Sequence, residues 1–138
     1  MKIEKKVLEF ISLSGRVAMI SGGASGIGFA TAKRLAEMGA NIVLLDIDES
    51  RGKEAEKEIR EMGVAARFLR CDVSSDADCR KAVEDTYKEF LRIDILFNNA
   101  GVIIRKNAVD LSEDEWDRVL DINLKGVYML SHYVIPHM

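Results

Sequence analysis

Four short apolar runs alternate along this chain with stretches of helical spacing, and that alternation narrows the possible folds more than any other feature. The runs are RVAMIS (16–21), NIVLLD (41–46), AARFLRC (65–71) and IDILFN (93–98). They read as short strands that are apolar on both faces, as strands covered on both sides by helices are. Strand, helix, strand, helix predicts right-handed βαβ units around a parallel sheet. The fold class that follows is α/β, a doubly wound parallel sheet.

The intervening segments carry helix signals. Behind the first run, Ile27, Ala30, Leu35 and Met38 share one helical face, and Gly39 stands where a helix terminates. Behind the second, Asp48 is placed to cap a charged helix ending near Met62–Gly63, with Ala55, Ile59 and Met62 inward. Its charges read as a solvated face. Ser75-x-x-Asp78 resembles a capping box, and Cys79, Ala82, Val83, Tyr87 and Phe90 make an apolar stripe behind it. Ser112-x-x-Glu115 is a second capping box. The helix after it carries Trp116, Leu120, Leu124 and Val127, and its pattern runs on through Gly126 to Pro136.

Length and composition limit the function classes. A chain of 138 residues accommodates one domain with a modest core. The domain is expected over 13–138, with 1–12 an N-terminal extension whose Val7, Phe10 and Ile11 either pack on a neighbouring surface or stay loose. The net charge of -3, with no basic stripe, argues against a nucleic-acid partner. No apolar run reaches the roughly 18 residues that suggest a membrane span, and the N-terminus lacks the apolar core of a signal peptide. Cys71 and Cys79 fit neither a redox CxxC nor a zinc spacing, and read as reduced thiols of a cytoplasmic protein. His132 and His137 miss the i, i+4 metal spacing, so no metal site is predicted. Ser131 and His132 are adjacent on a helix and point apart; they read as helix surface or interface, not as a nucleophile and its base.

The segment ISGGASGIGFA (20–30) places Gly22, Gly26 and Gly28 where the first strand hands over to a helix. Such a turn brings backbone close to a pyrophosphate with no Cβ in the way, at a helix N-terminus with free N–H groups. The spacing is G-x-x-x-G-x-G, and a tight turn without a ligand is the other meaning of such a loop. Asp46 ends the second strand 18 residues after Gly28, where a carboxylate meets the ribose hydroxyls of an adenine dinucleotide.

In these residues and those that follow, the chain resembles the short-chain dehydrogenase/reductase family over residues 13 to 138. Ser21-Gly-Gly-Ala-Ser25-Gly26-Ile27-Gly28 is similar to its cofactor loop, with Ser21 at a position where threonine is usual. Asp72-Val73 resembles the family pair that contacts adenine, and Asn98-Asn99-Ala100-Gly101 the N-N-A-G that lines the adenosine ribose and steadies the sheet. Asn123 sits where the family has the first member of an Asn-Ser-Tyr-Lys active-site tetrad. The resemblance implies a Rossmann-type domain that binds a nicotinamide dinucleotide and transfers hydride to or from a small alcohol or ketone. Ser21, Gly22, Ser25, Gly26, Ile27, Gly28, Asp46, Ile47, Asp72, Val73, Asn99, Ala100 and Gly101 are the cofactor-binding residues it implies, and Asn123 the catalytic one. Asp46 followed by Ile47 favours NAD over NADP, because a carboxylate repels a 2′-phosphate. Arg51 reads as helix-surface charge. Another Rossmann-like enzyme, such as a methyltransferase, also accommodates Asp46, but leaves N-N-A-G and Asn123 without a purpose.

The chain departs from the family in one respect: it has no Tyr-x-x-x-Lys. Leu91, His132 and His137 follow Tyr87, Tyr128 and Tyr133 at that spacing. The resemblance therefore implies the cofactor-binding half of an oxidoreductase, or else an inactive, truncated nucleotide-binding module. Strand order 3-2-1-4 leaves IDILFN as a sheet edge, and unpaired edges invite association. Leu124, Val127, Leu130 and Val134 on one side of the last helix, and Ile122, Met129 and Tyr133 on another, predict burial nearly all round. A homo-oligomer through helix 122–138 or the sheet edge is expected.

Overall fold

A computed structural model describes residues 5–138. After a short helix α1 (Lys5–Ile11), the chain runs β1 (Val17–Ser21), α2 (Gly26–Glu37), β2 (Asn41–Asp46), α3 (Glu49–Glu61), β3 (Ala66–Arg70), α4 (Asp76–Phe90) and β4 (Ile95–Phe97). Helix α5 (Glu113–Leu120) passes through a π-helical turn (Asp121–Lys125) into α6 (Gly126–Val134), and a 3₁₀ turn (Ile135–His137) follows. The four strands form one parallel sheet, as the alternation predicts, in the order β3-β2-β1-β4 that the family resemblance implies. In α1, Phe10 is almost fully exposed and Val7 and Ile11 remain open to solvent.

Alternate residues of the central strands feed two cores. Val17, Met19, Val43 and Leu45 face Cys79, Val83, Met129, Leu130 and Val134 of α4 and α6. Ala18, Ile20, Ile42 and Leu44 face Ala32, Ala36, Ala55 and Ile59 of α2 and α3. A strand apolar at every position is thereby buried on both sides.

Helix termini follow local chemistry. Asp48 caps α3 by accepting from Arg51 N–H, and Ser112 and Glu115 form the full reciprocal box at α5. At α4 only half a box is present: Ser75 accepts from Asp78 N–H, but the Asp78 carboxylate turns to the N–H of Asp72 at 3.0 Å.

Three apolar stripes differ from expectation. In α2 the buried face is Gly28, Ala32 and Ala36; Ala30 is exposed, Leu35 half-buried, and Ile27 75% exposed. The period is right and the phase is not, because the smallest residues let the helix axis approach the sheet most closely. In α4, Tyr87 turns outward to stack on His137, and Thr86 takes the buried place by donating its hydroxyl to Ala82 carbonyl at 2.7 Å. The stripe Trp116, Leu120, Leu124, Val127 is exposed, Trp116 by 54% and Leu124 by 66%. The π turn adds a residue to the helix and shifts its phase, so Gly126, Met129, Leu130 and Val134 face the core. Burial nearly all round is therefore not what α6 has.

Gly52 lies inside the charged helix α3, where alanine would raise helix propensity. A Cβ there would collide with the Phe68 ring. We predict that Gly52→Ala lowers stability by about 1–3 kcal/mol, the range for overpacking, read as a lower urea midpoint at unchanged m-value. A gain in stability would show that Phe68 yields freely.

Asp94 ties β4 to β1. It accepts from Arg92, from Arg16 and from the backbone N–H of Val17, the last at 2.9 Å. Those bonds, Arg92 first, hold its carboxyl well below the ordinary aspartate range. A folded value below the unfolded one means that the stabilisation is complete above the unfolded pKa, about 3.9. It is lost as pH falls through the folded value. Asp94→Ala is expected to cost about 1–3 kcal/mol at neutral pH, and the gap to wild type to close as unfolding is measured progressively below pH ~4. A gap independent of pH would contradict this.

Candidate functional site

β1 ends in a buried hydroxyl. Ser21 Oγ accepts from the N–H groups of Asn99 at 3.0 Å and Ala100 at 3.1 Å. The Asn99 side-chain amide donates in return to the carbonyls of Ser21 at 3.1 Å and Gly22 at 3.2 Å. The loop after β1 is thus bolted to the segment after β4. Gly22 adopts φ +62°, and a Cβ on it would approach Ala100 Cα to 3.0 Å. Gly28, in the first turn of α2, lies against the Gly22 carbonyl, and a Cβ there would also come 2.6 Å from the Asn99 amide. Two of the three glycines singled out in the sequence are therefore required by backbone approach.

The clamp leaves a cavity of about 580 Å³ at the C-terminal ends of the strands. Gly22, Ser25, Asp46 and Ile47 line one side; Asp72 and Val73 line another; Asn99, Ala100 and Gly101 line the third. Asp46 is oriented by the backbone: Oδ2 accepts from Ala24 N–H and Oδ1 from Asp48 N–H, each at 3.1 Å. Each oxygen keeps a lone pair for another donor. Ser25 precedes α2 without capping it, so its hydroxyl and the N–H groups of the first helical turn lack a side-chain partner. Asp72 Oδ1 accepts from Ser74 N–H at 2.9 Å and Ser74 Oγ at 2.6 Å. The Ser74 hydroxyl, its N–H, and the positive charges of Arg70 and Arg118 hold the Asp72 carboxyl below its ordinary range.

Not every residue expected from the sequence lines this cavity. Ser21 is turned into the clamp, and Gly28 packs behind the loop. Gly26 opens α2, and Ile27 points to solvent. Asn123 sits in the π turn, with Oδ1 accepting from Val102 N–H at 2.8 Å and its amide donating to Val102 carbonyl at 2.9 Å. It pins the backbone that follows Gly101.

Cys71, Ser74, Val102, Arg118 and Ile122 complete the wall, beyond what the sequence motifs point to. Asp-x-Ser is a legible side-chain turn; nothing in the sequence signals Arg118, which depends on how α5 docks. Ser131, expected at a surface or interface, instead takes a hydrogen bond from the Asn98 amide at 3.2 Å. Arg51 pairs with Asp48 at 3.5 Å on the outside of α3.

A profile of the short chain dehydrogenase family matches residues 16–138. The chain belongs to that family. An uncharacterized oxidoreductase of Thermotoga maritima is 39% identical over 128 residues, covering 93% of this chain and 50% of the relative. Cyclopentanol dehydrogenase of Comamonas testosteroni is 37% identical over 126 residues, covering 91% and 50%. Among solved structures, NAD+-bound xylitol dehydrogenase superposes with a TM-score of 0.87 at 39% identity, covering 91% of this chain and 48% of that one. The 3-ketoacyl-(acyl-carrier-protein) reductase of Brucella melitensis complexed with NADH gives 0.86 at 38%, covering 91% and 51%. This short-chain dehydrogenase chain spans about half the length of the relatives it matches.

The clamp yields a prediction. Ser21→Ala leaves two half-buried N–H groups without an acceptor and is expected to cost about 1–2 kcal/mol. Hydrogen exchange at Asn99 and Ala100 should accelerate while that at Ile42 and Leu44, in the neighbouring strand, follows global stability alone. Unchanged protection at Asn99 would remove Ser21 from the clamp.

Proposed function

We propose that this chain binds NAD, in preference to NADP, as the cofactor-binding part of an oxidoreductase that moves a hydride between nicotinamide and a small alcohol or ketone. The observation that carries the reading is the position of Asp46, at the end of β2 on the same cavity wall as Gly22 and Ser25. Its remaining lone pairs suit ribose hydroxyls, and its charge opposes a 2′-phosphate. Neighbouring Ile47 brings no cation, and Arg51 is occupied by Asp48.

The residues present fit a dinucleotide. The uncapped first turn of α2 offers N–H groups for a pyrophosphate, beside a loop that excludes side chains at Gly22 and Gly28. Asp72 retains acceptor capacity for the amino group of an adenine, and Asn99 to Gly101, on the cavity wall, would flank the adenosine. Bound NAD supplies the hydride acceptor. Two NAD+- or NADH-bound relatives with the same half-fold support this choice. Asn123 is the residue proposed for catalysis, and its contribution in this chain is to hold Val102.

A second reading follows from a specific observation. No Tyr-x-x-x-Lys occurs in these 138 residues. The acid/base work of hydride transfer needs a tyrosine beside a cation, so these residues by themselves are expected to bind NAD without turning over an alcohol. The exposed Trp116 and Leu124 support a homo-oligomer, and the free cysteines favour a reducing, cytoplasmic setting. Among the described residues no helix is long and apolar enough to cross a membrane.

Calorimetric titration tests the cofactor reading. NAD is expected to bind at least about tenfold more tightly than NADP, a difference of roughly 1.4 kcal/mol. Asp46→Ala should bring the two affinities together. Equal affinities in the wild-type chain would refute the role given to Asp46.

A further inference from the structure

β3 is paired on one side only: among the described residues, β2 is its sole neighbour in the sheet. The Ala65 carbonyl accepts from Ile42 N–H at 2.9 Å, and Cys71 N–H donates to the Asp46 carbonyl at 3.0 Å. Backbone direction alternates along a strand, so residues 65, 67, 69 and 71 turn their N–H and C=O groups toward β2. Residues 66, 68, 70 and 72 turn theirs to the open side. A row of unpaired groups of this kind is a template for another strand.

Here side chains occupy the row. The Ala66 carbonyl accepts from Arg60 Nε at 2.9 Å, Phe68 N–H donates to Glu56 Oε2 at 2.8 Å, and Asp72 N–H donates to Asp78 Oδ2 at 3.0 Å. Glu56 and Arg60 also pair with each other, one turn apart on α3. The carboxylate accepts and the guanidinium donates, as the C=O and N–H of a neighbouring strand would. Both bonds to the backbone are charge-assisted, the stronger kind.

Sequence spacing explains how a helix reaches a sheet edge. Gly52, Glu56 and Arg60 fall four residues apart, along one row of α3. A Cβ on Gly52 would overlap the Phe68 ring, so the helix lies close over β3 at that point. The next two turns then carry the carboxylate and the guanidinium to the rim of the sheet. On the opposite face, Arg67 pairs with Glu89 at 3.7 Å and Arg70 with Asp78 at 3.6 Å, which ties the long side chains of the strand to α4.

We propose that Glu56 and Arg60 act as a surrogate strand that closes the β3 edge, and that without them this edge pairs with β3 of a second copy. A two-fold axis beside the strand makes that pairing antiparallel and self-complementary, the outward groups of Ala66 and Phe68 finding donors and acceptors on the other copy. The homo-oligomer proposed above then forms at another surface. The inference stands apart from the cofactor reading, because neither Glu56 nor Arg60 lines the cavity.

The full chain and its double variant Glu56→Ala/Arg60→Ala are compared by sedimentation equilibrium over a range of concentrations and by hydrogen exchange. In the wild type the Phe68 amide should be better protected than that of Arg70, the other outward amide of the strand; the reverse order overturns the proposal. In the variant at low concentration, Phe68 should exchange about tenfold faster or more, the loss expected for a hydrogen bond to a charged group. The amides of Arg67 and Leu69, which face β2, should follow global stability alone. As concentration rises, the variant's weight-average mass should climb above that of the wild type, and protection should return at Phe68 and Arg70. Glu56→Gln keeps an acceptor for Phe68 N–H and should match the wild type in both measurements. A variant whose Phe68 amide exchanges as in the wild type removes Glu56 from the edge. A variant with an open Phe68 amide whose mass tracks the wild type at every concentration overturns the proposal, as does added mass without protection at Phe68 and Arg70. Should the double variant fail to fold, Glu56→Ala, which keeps the Arg60 bond to Ala66, is judged by the same criteria, and the order of protection in the wild type still decides.

Discussion

β1 is buried on both faces and paired on both edges, so its polar end must find partners within the protein. Ser21 and Asn99 supply them, exchanging hydrogen bonds between the end of the central strand and the segment after β4. Unpaired, those partly buried groups would each cost on the order of 1 kcal/mol or more. The exchange also sets the shape of what lies beyond. It holds the glycine loop against Asn99 and Ala100, and leaves an open space where the four strands end. That space is the cavity on which the functional reading rests. Open α/β sheets bind ligands at this place for the same topological reason.

Much of this architecture is legible in the amino-acid sequence. Apolar runs of strand length, glycines at the handover to a helix, and caps at Asp48 and Ser112 are local signals with local causes. The parallel sheet follows from the alternation of strand and helix, and its order 3-2-1-4 from the family resemblance. Asp46, Asp72 and the Asn99–Gly101 segment are legible as site residues because each terminates a strand, and all strands of a parallel sheet end on one side.

What is not legible depends on phase and on long-range contact. The spacing in α2 predicts its bulkiest members inward, yet Gly28, Ala32 and Ala36 face the sheet. Proximity outweighs hydrophobic bulk there. The stripe from Trp116 to Val127 fails for another reason: a π turn at Asp121–Lys125 shifts the helix by a residue, and no propensity signals such an insertion. The glycine-loop motif places Ser21 toward a ligand, whereas its hydroxyl serves the clamp. Arg118 reaches the cavity only through the docking of α5, which no local pattern encodes. Gly52 is an incidental glycine by local pattern, and only the Phe68 ring against it gives a reason for it.

The central claim is that the space at the strand ends holds a dinucleotide. A two-dimensional NMR titration of the chain with NAD addresses it most directly, because each backbone amide reports separately. The account predicts shifts concentrated at Gly22, Ala24, Ser25, Ile47, Asp72, Val73 and Gly101, with α1 and the outer face of α3 unmoved. Shifts absent at those amides, or gathered instead on the exposed face of α5 and α6, would contradict it.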